Sequence, residues 1–401
     1  MFGIYRYGLA FCVAISHLWA GMIGGPAAYA VWGFYCLSGY LMTLVLNEKY
    51  GFAPRGLGRF AVNRILRIHP AYYVVCAGMF LLFYLKPGTA ARFLPQLYMP
   101  ATAQGWRYSL FLMTSPGGGE LLHGSSALRV ELWFYVAMAL GLARNRWITG
   151  TWFMASVAYT IWLLAMGTPF VERYTFIPAC SLAFSFGSLI YHVRDRLPVI
   201  RTPWAAVSAA AIWWLHVWLT QNIPGGPWVY GLYSSLIVSA FAMVTLMRLD
   251  PKTLSPWMMK VDRFFGNLSY PMYLCHWGVG IVVIGLFHGK SRADLSVFLI
   301  GFPVVNLISY LLYAYVEHPL QSWKLTSLTH SRFESVPGAG NSTRLDAASF
   351  PAPLSGLRPH SQPASSEEIY KHATSDFPGA NPPARAGLRR QDATDPPSRT
   401  R

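Results

Sequence analysis

Ten apolar runs pattern this chain as far as Val316, at approximately Tyr7–Ile23, Ala27–Leu46, Ala71–Leu85, Leu128–Ala143, Ile148–Met166, Phe176–Tyr191, Trp204–Thr220, Trp228–Met247, Leu268–Phe287 and Leu295–Val316. A helix crossing the hydrocarbon core of a bilayer takes roughly 17–25 residues, so the shorter runs must borrow from their flanks. Backbone in lipid has to satisfy its own polar groups, which selects helices. The pattern therefore predicts an all-α integral membrane fold, a bundle of about ten transmembrane helices. With the N-terminus in the cytosol, the inner loops carry fourteen Lys and Arg and the outer loops six. That bias places both termini in the cytosol.

Composition sharpens this picture. Of 401 residues, 54% are hydrophobic and only 12% charged, and aromatic residues reach 15%, as at lipid interfaces. The net charge is +16, and positive residues sit in the short loops between apolar segments, so the basic balance points to membrane topology and not to a nucleic-acid partner. Cys12, Cys36, Cys76, Cys180 and Cys275 all lie in apolar runs without metal-ligand spacing, and read as small buried hydrophobes. No metal site is expected. The first run follows Arg6 and holds His17 in its middle, unlike a cleavable signal peptide. Residues 1–324 thus read as one membrane-embedded domain. Residues 325–401 are rich in Pro, Ser, Ala and Arg and read as a disordered cytosolic tail.

Three polar constellations interrupt the apolar pattern. Arg6 and His17 are eleven residues apart, about 16 Å and nearly whole turns of helix, so they share one face. Arg6 is expected at the cytosolic surface and His17 near the bilayer middle. A buried imidazole there is either a working group or an interhelical hydrogen bond. As a working group it can take a proton from a hydroxyl, while the guanidinium suits phosphate. In Arg59–Pro70, Arg59, Asn63, Arg64 and Arg67 share one arc of a helical wheel, and Ala61, Val62, Ile65, Leu66 and Ile68 the opposite one. This predicts an amphipathic helix in the cytosolic interface, stopped by Pro70, that holds lipid headgroups or the phosphates of a cofactor. Finally, Glu131 lies inside an apolar run, two residues after Arg129. It is expected to pair with Arg129 or with another helix, and as a functional group to orient His17 or an acceptor hydroxyl. Gly117-Gly-Gly119 reads as a flexible outer loop. His276 is a further polar residue deep in lipid.

Taken in order, these residues resemble the acyltransferase 3 family, integral-membrane O-acyltransferases of bacterial surface and secreted glycans. Arg6 and His17 are similar to its R-x10-H element, and Phe34-Tyr-Cys-Leu-Ser38-Gly-Tyr-Leu41 to F-F-x-L-S-G-F-L. Arg64-Ile-Leu-Arg67-Ile-His-Pro70 is similar to R-x-x-R-I-x-P, and Leu128-Arg129-Val-Glu131-Leu-Trp-Phe-Tyr135 to L-x-x-E-x-x-F-Y. Leu268-Ser-Tyr-Pro-Met-Tyr273-Leu-Cys-His276-Trp277 is similar to I-S-Y-x-L-Y-L-x-H-W, and Val316-Glu-His-Pro319 to the closing E-x-P. Two positions depart: Ser126 stands where a Trp is common, and His69 where a Tyr is.

The resemblance implies a multi-pass protein of the bacterial cytoplasmic (inner) membrane that transfers an acyl group, commonly acetyl, from cytosolic acyl-CoA to a hydroxyl of a glycan or glycolipid. Acyl-CoA is then a co-substrate, and no bound cofactor is expected. His17 and Glu131 would be catalytic, and Arg6, Arg59, Arg64 and Arg67 would handle the donor. Ser38, Arg129, Tyr135, Tyr273 and His276 would meet the acceptor or support these groups. The competing class is a transporter or flippase for an anionic or glycolipid substrate, which also uses polar residues in lipid. A scaffold acting through its tail is a third.

Overall fold

A computed structural model describes residues 2–86, 88–90, 99–112, 120–223, 225–287 and 291–320. The 325–401 segment and Gly117-Gly-Gly119 lie outside these residues. The described chain is helical: α1 Phe2–Leu18, α2 Pro26–Val45, α3 Pro54–Leu85, α4 Ala103–Phe111, α5 Ser126–Ala137, α6 Arg146–Ala165, α7 Phe170–Thr175, α8 Ser181–Val193, α9 Trp204–Leu219, α10 Tyr230–Met247, α11 Pro256–Leu286 and α12 Leu295–Leu312. Single π-helical turns extend α2 over Leu46–Tyr50, α5 over Met138–Leu142 and α12 over Tyr313–Glu317. Sheet-like pairing among the described residues is limited to one parallel bridge, Ile200 with Leu249.

Each of the ten apolar runs falls on a helix. Among the described residues, six helical stretches are long and apolar enough to cross a bilayer, namely Pro26–Tyr50, Pro54–Leu85, Arg146–Ala165, Tyr230–Met247, Pro256–Leu286 and Leu295–Leu320. Their burial differs widely. In α2 with its π turn 94% of the apolar window is buried, and in α11 83%, against 28% in both α6 and the α12 stretch. A helix apolar all round belongs at the centre of a bundle or in lipid. Here α2 and α11 take the centre, while α6 and α12 turn most of their apolar surface outward.

Small residues set the close approaches, as expected where lipid supplies no hydrophobic drive between helices. A Cβ on Gly39 of α2 would meet the backbone of Phe184 in α8, and one on Gly187 of α8 would meet the carbonyl of Cys36 in α2. Thr43 Oγ1 then donates to Ser188 Oγ across the same seam at 2.7 Å. The first turns of α1 approach α11 in the same way, with Gly3 against Asp262 and Gly266 against the backbone of Gly3. The Asp262 carboxylate accepts the backbone N–H of Ile4 at 2.9 Å, satisfying one of the orphan donors at a helix start. All five cysteines are buried free thiols.

Three local expectations are corrected. Helix α1 ends at Leu18, so His17 occupies its last turn and not the middle of a span reaching Ile23. Pro70 does not stop α3, which runs through it for 32 residues. The arginine-bearing segment is also turned the other way. Arg64 and Arg67 are buried, whereas Val62 and Ile65 are 55% and 51% exposed. An amphipathic helix on a water-facing surface hides its apolar arc; here Arg64 and Arg67 face the protein while Ala61, Val62 and Ile65 face outward, with Arg59 exposed and Ile68 buried.

Candidate active site

Helix α1 carries a cation at its start and an imidazole at its end, and both face α11. Arg6 is 4% exposed and lies on Gly266, where a Cβ would sit 2.7 Å from Nη2. About 16 Å further along, the His17 ring packs on α11 against Trp277, with centroids 4.6 Å apart, and stacks on His276 at 5.5 Å. His17 therefore points into the bundle. Its ring makes no hydrogen bond among the described residues, only ring contacts.

At the arginine end, Arg67 of α3 forms a buried ion pair with Glu317, the last residue of the π turn that closes α12. Arg67 also lies over the Tyr270 ring at 5.5 Å, and the Tyr270 hydroxyl donates to the Ile68 carbonyl at 2.5 Å. The charged neighbours of Arg6 are Arg67, Asp262 and Glu317. Arg64 lies over the rings of Phe60 and Tyr135 at 5.5 and 6.0 Å, and its buried Nε has no hydrogen-bond partner. A buried cation with an unfilled donor is a ready contact for an anionic ligand. Arg59 is exposed and is not part of this group.

Glu131 stands between the two ends. Ser38 Oγ and the Tyr135 hydroxyl both donate to its Oε1 at 2.5 Å. These bonds satisfy a carboxylate that is 3% exposed. Arg129 is not its partner: that guanidinium lies near Cys180. Nor does Glu131 contact His17. It lines a small cavity with Val31, Phe34, Ser38, Ala127 and Tyr273. Tyr273 links this region to the histidine end, since its carbonyl accepts from His276 Nδ1–H at 2.8 Å and its hydroxyl donates to the Gly124 carbonyl at 3.2 Å.

Several groups at the histidine end were not singled out from sequence. His123 meets the Trp277 ring edge-on at 4.4 Å and shares a hydrogen bond with Glu120, Nδ1 to Oε1, at 2.8 Å. Arg292 lies over the same indole at 5.2 Å, and its Nε donates to the His17 carbonyl at 3.1 Å. That carbonyl belongs to the last turn of α1, where a cation complements the helix dipole. Glu120 and His123, three apart in a loop, form a weak sequence signal, and Arg292 counts there only as a loop charge. Among the described residues no group of His, Cys, Asp and Glu converges as metal ligands would.

A helical bundle with buried arginines at one end of α1 and a nest of imidazoles at the other defines a multi-pass membrane protein with an internal polar site. A family model described as an acyltransferase domain matches residues 5–314, and the chain belongs to the acyltransferase 3 family. It is a membrane acyltransferase. Comparisons with curated proteins and with solved structures return no match.

Proposed function

We propose that this acyltransferase moves an acyl group, acetyl in the simplest case, from cytosolic acyl-CoA to a hydroxyl of a glycan or glycolipid at the outer face of a bacterial inner membrane. In this reading the ten apolar helices all span, both termini are cytosolic, and the arginine end of α1 opens to the cytosol. Arg6, Arg64 and Arg67 hold the phosphates of the donor, and the thioester reaches along α1 toward His17.

The observation that carries the reading is α1 itself: one continuous helix with a buried guanidinium at its start and an inward-facing imidazole at its end. A histidine whose ring accepts and donates no hydrogen bond keeps a basic nitrogen for chemistry. Two routes use it. In one, His17 takes the proton of the hydroxyl as its oxygen attacks the thioester carbon and the thiolate leaves. In the other, His17 takes the acyl group first and passes it on. Glu131, held by Ser38 and Tyr135, keeps the passage between the two ends polar.

The test is His17→Ala in the native host. Mass spectrometry of surface glycans should show the acyl ester gone while the protein remains at normal level in the membrane. Esters persisting at wild-type amounts would refute the role of His17.

A further inference from the structure

Three imidazoles meet at Trp277, and their surroundings differ in a way that separates their chemistry. His276 is wholly buried and gives its Nδ1–H to the Tyr273 carbonyl. His17 has ring contacts alone. Among the described residues only His123 shares a hydrogen bond with a carboxylate. Because an ionised carboxylate can only accept, His123 Nδ1 is the protonated nitrogen, which puts the basic lone pair on Nε2. Glu120 is 0% exposed, and its second oxygen, Oε2, has no partner. Its charge is therefore ready to stabilise an imidazolium formed beside it, as the carboxylate of a catalytic triad does.

The pair is also held in place. The Leu121 N–H reaches Ser109 Oγ of α4 at 3.5 Å, and Tyr273 grips the Gly124 carbonyl. Tyr72 and Tyr73 of α3 anchor α4 in turn, donating to the Ser109 and Leu110 carbonyls at 2.7 and 2.9 Å. The His123 side chain keeps 19% exposure, so a substrate can reach it. His17 and His123 touch the same indole, which places their ring centres no more than about 9 Å apart.

We infer that His123, oriented by Glu120, is the base for the acceptor hydroxyl, while His17 carries the acyl group from donor to acceptor. The inference rests on the acyltransferase reading above and decides between its two routes. First, a His17 nitrogen bonds to the thioester carbon and the C–S bond breaks. The His17 N–H proton goes to the departing thiolate, leaving a neutral acyl-imidazole and a free thiol. Second, the acceptor oxygen bonds to the acyl carbon as its proton passes to His123 Nε2. The C–N bond to His17 breaks, and His123 returns the proton to the His17 nitrogen. Both imidazoles end neutral, and the sum is ester plus thiol.

The experiment uses purified full-length protein in detergent, acetyl-CoA as donor, and an O-deacetylated surface glycan of the host as acceptor. Thiol release without acceptor and ester formation with acceptor are followed for wild type, His17→Ala, His123→Gln and Glu120→Gln. The inference expects His123→Gln to release about one thiol per protein while ester formation falls by about 10²-fold or more. Glu120→Gln, nearly the same shape, should keep thiol release and lose the limb of the ester-forming pH profile that reports the base. Wild-type ester formation and pH profile in both variants would overturn the role of His123 and leave the acyltransferase reading intact. Loss of thiol release in His123→Gln would likewise overturn it, by making the residue structural. Activity of His17→Ala equal to wild type would instead overturn the reading on which the inference stands.

Discussion

Removing the carboxylate of Glu317 should destabilise the protein sharply, and removing its partner as well should restore most of the loss. The side chains of Arg67 and Glu317 are 5% and 4% exposed. In such a setting the attraction between the ions offsets the cost of desolvating them, with little net gain. Deleting one partner strands the other charge without its counter-ion, which costs about 3–5 kcal/mol. Glu317→Gln removes the carboxylate that pairs with Arg67, whose guanidinium also lies over the Tyr270 ring at 5.5 Å. A loss of that size is a large share of the roughly 5–15 kcal/mol by which folded proteins are stable. Replacing both residues by apolar groups of similar volume, Arg67→Met with Glu317→Leu, should come within about 1–2 kcal/mol of wild type. The assay is equilibrium unfolding in detergent micelles for wild type, Glu317→Gln, and the cycle of Arg67→Met, Glu317→Leu and their double variant. The interaction energy of the cycle should reach about 3 kcal/mol. Single losses that simply add in the double variant would refute a coupled buried pair and would leave the π turn at Glu317 without an energetic reason. The double variant should still fail in donor binding, because Arg67 belongs to the proposed phosphate site; stability and activity separate there.

Arg64→Ala should raise the KM for acyl-CoA by about 10- to 100-fold, the worth of a hydrogen bond to a charged group of about 1.5–3 kcal/mol, with a smaller change in kcat; an unchanged KM would remove Arg64 from the donor site. Gly187→Ala places a Cβ against the Cys36 carbonyl and should cost about 1–3 kcal/mol by forcing α2 and α8 apart, seen as a lower midpoint of thermal unfolding, and a wild-type midpoint would mean the helices are not packed this closely.

Much of the architecture was legible in the residue order because lipid imposes a simple rule on it. Apolar runs of helix-spanning length have one solution for their backbone polar groups, and every run marked between Tyr7 and Val316 lies on a helix. Eleven residues from Arg6 to His17 bring both to one face through the helical repeat alone, and that face meets α11. Where the outcome depended on what surrounds a helix, the linear pattern fell short. The wheel of Arg59–Pro70 groups Arg64 with Arg67 and Val62 with Ile65, but direction is absent from a wheel, and it set buried Ile68 and exposed Arg59 on the wrong arcs. Buried neighbours on one side turned Arg64 and Arg67 inward and left Val62 and Ile65 outside. Proline likewise looked like a stop at position 70, yet the helix runs on through it from Pro54 to Leu85.

Pairing was the part that only the folded chain could decide. Glu131 has Arg129 two residues away, but residues two apart on a helix point to different sides, so its partners came from Ser38 on another helix and Tyr135 one turn along. Glu317 meets Arg67 across 250 residues. Glu120, His123 and Arg292 sit in loops whose sequence has no periodicity to read; His123 and Arg292 converge with His17 because Trp277 of α11 offers all three one surface, and Glu120 joins through His123. Local spacing determines which face a side chain takes; the company it keeps there is a property of how distant helices pack.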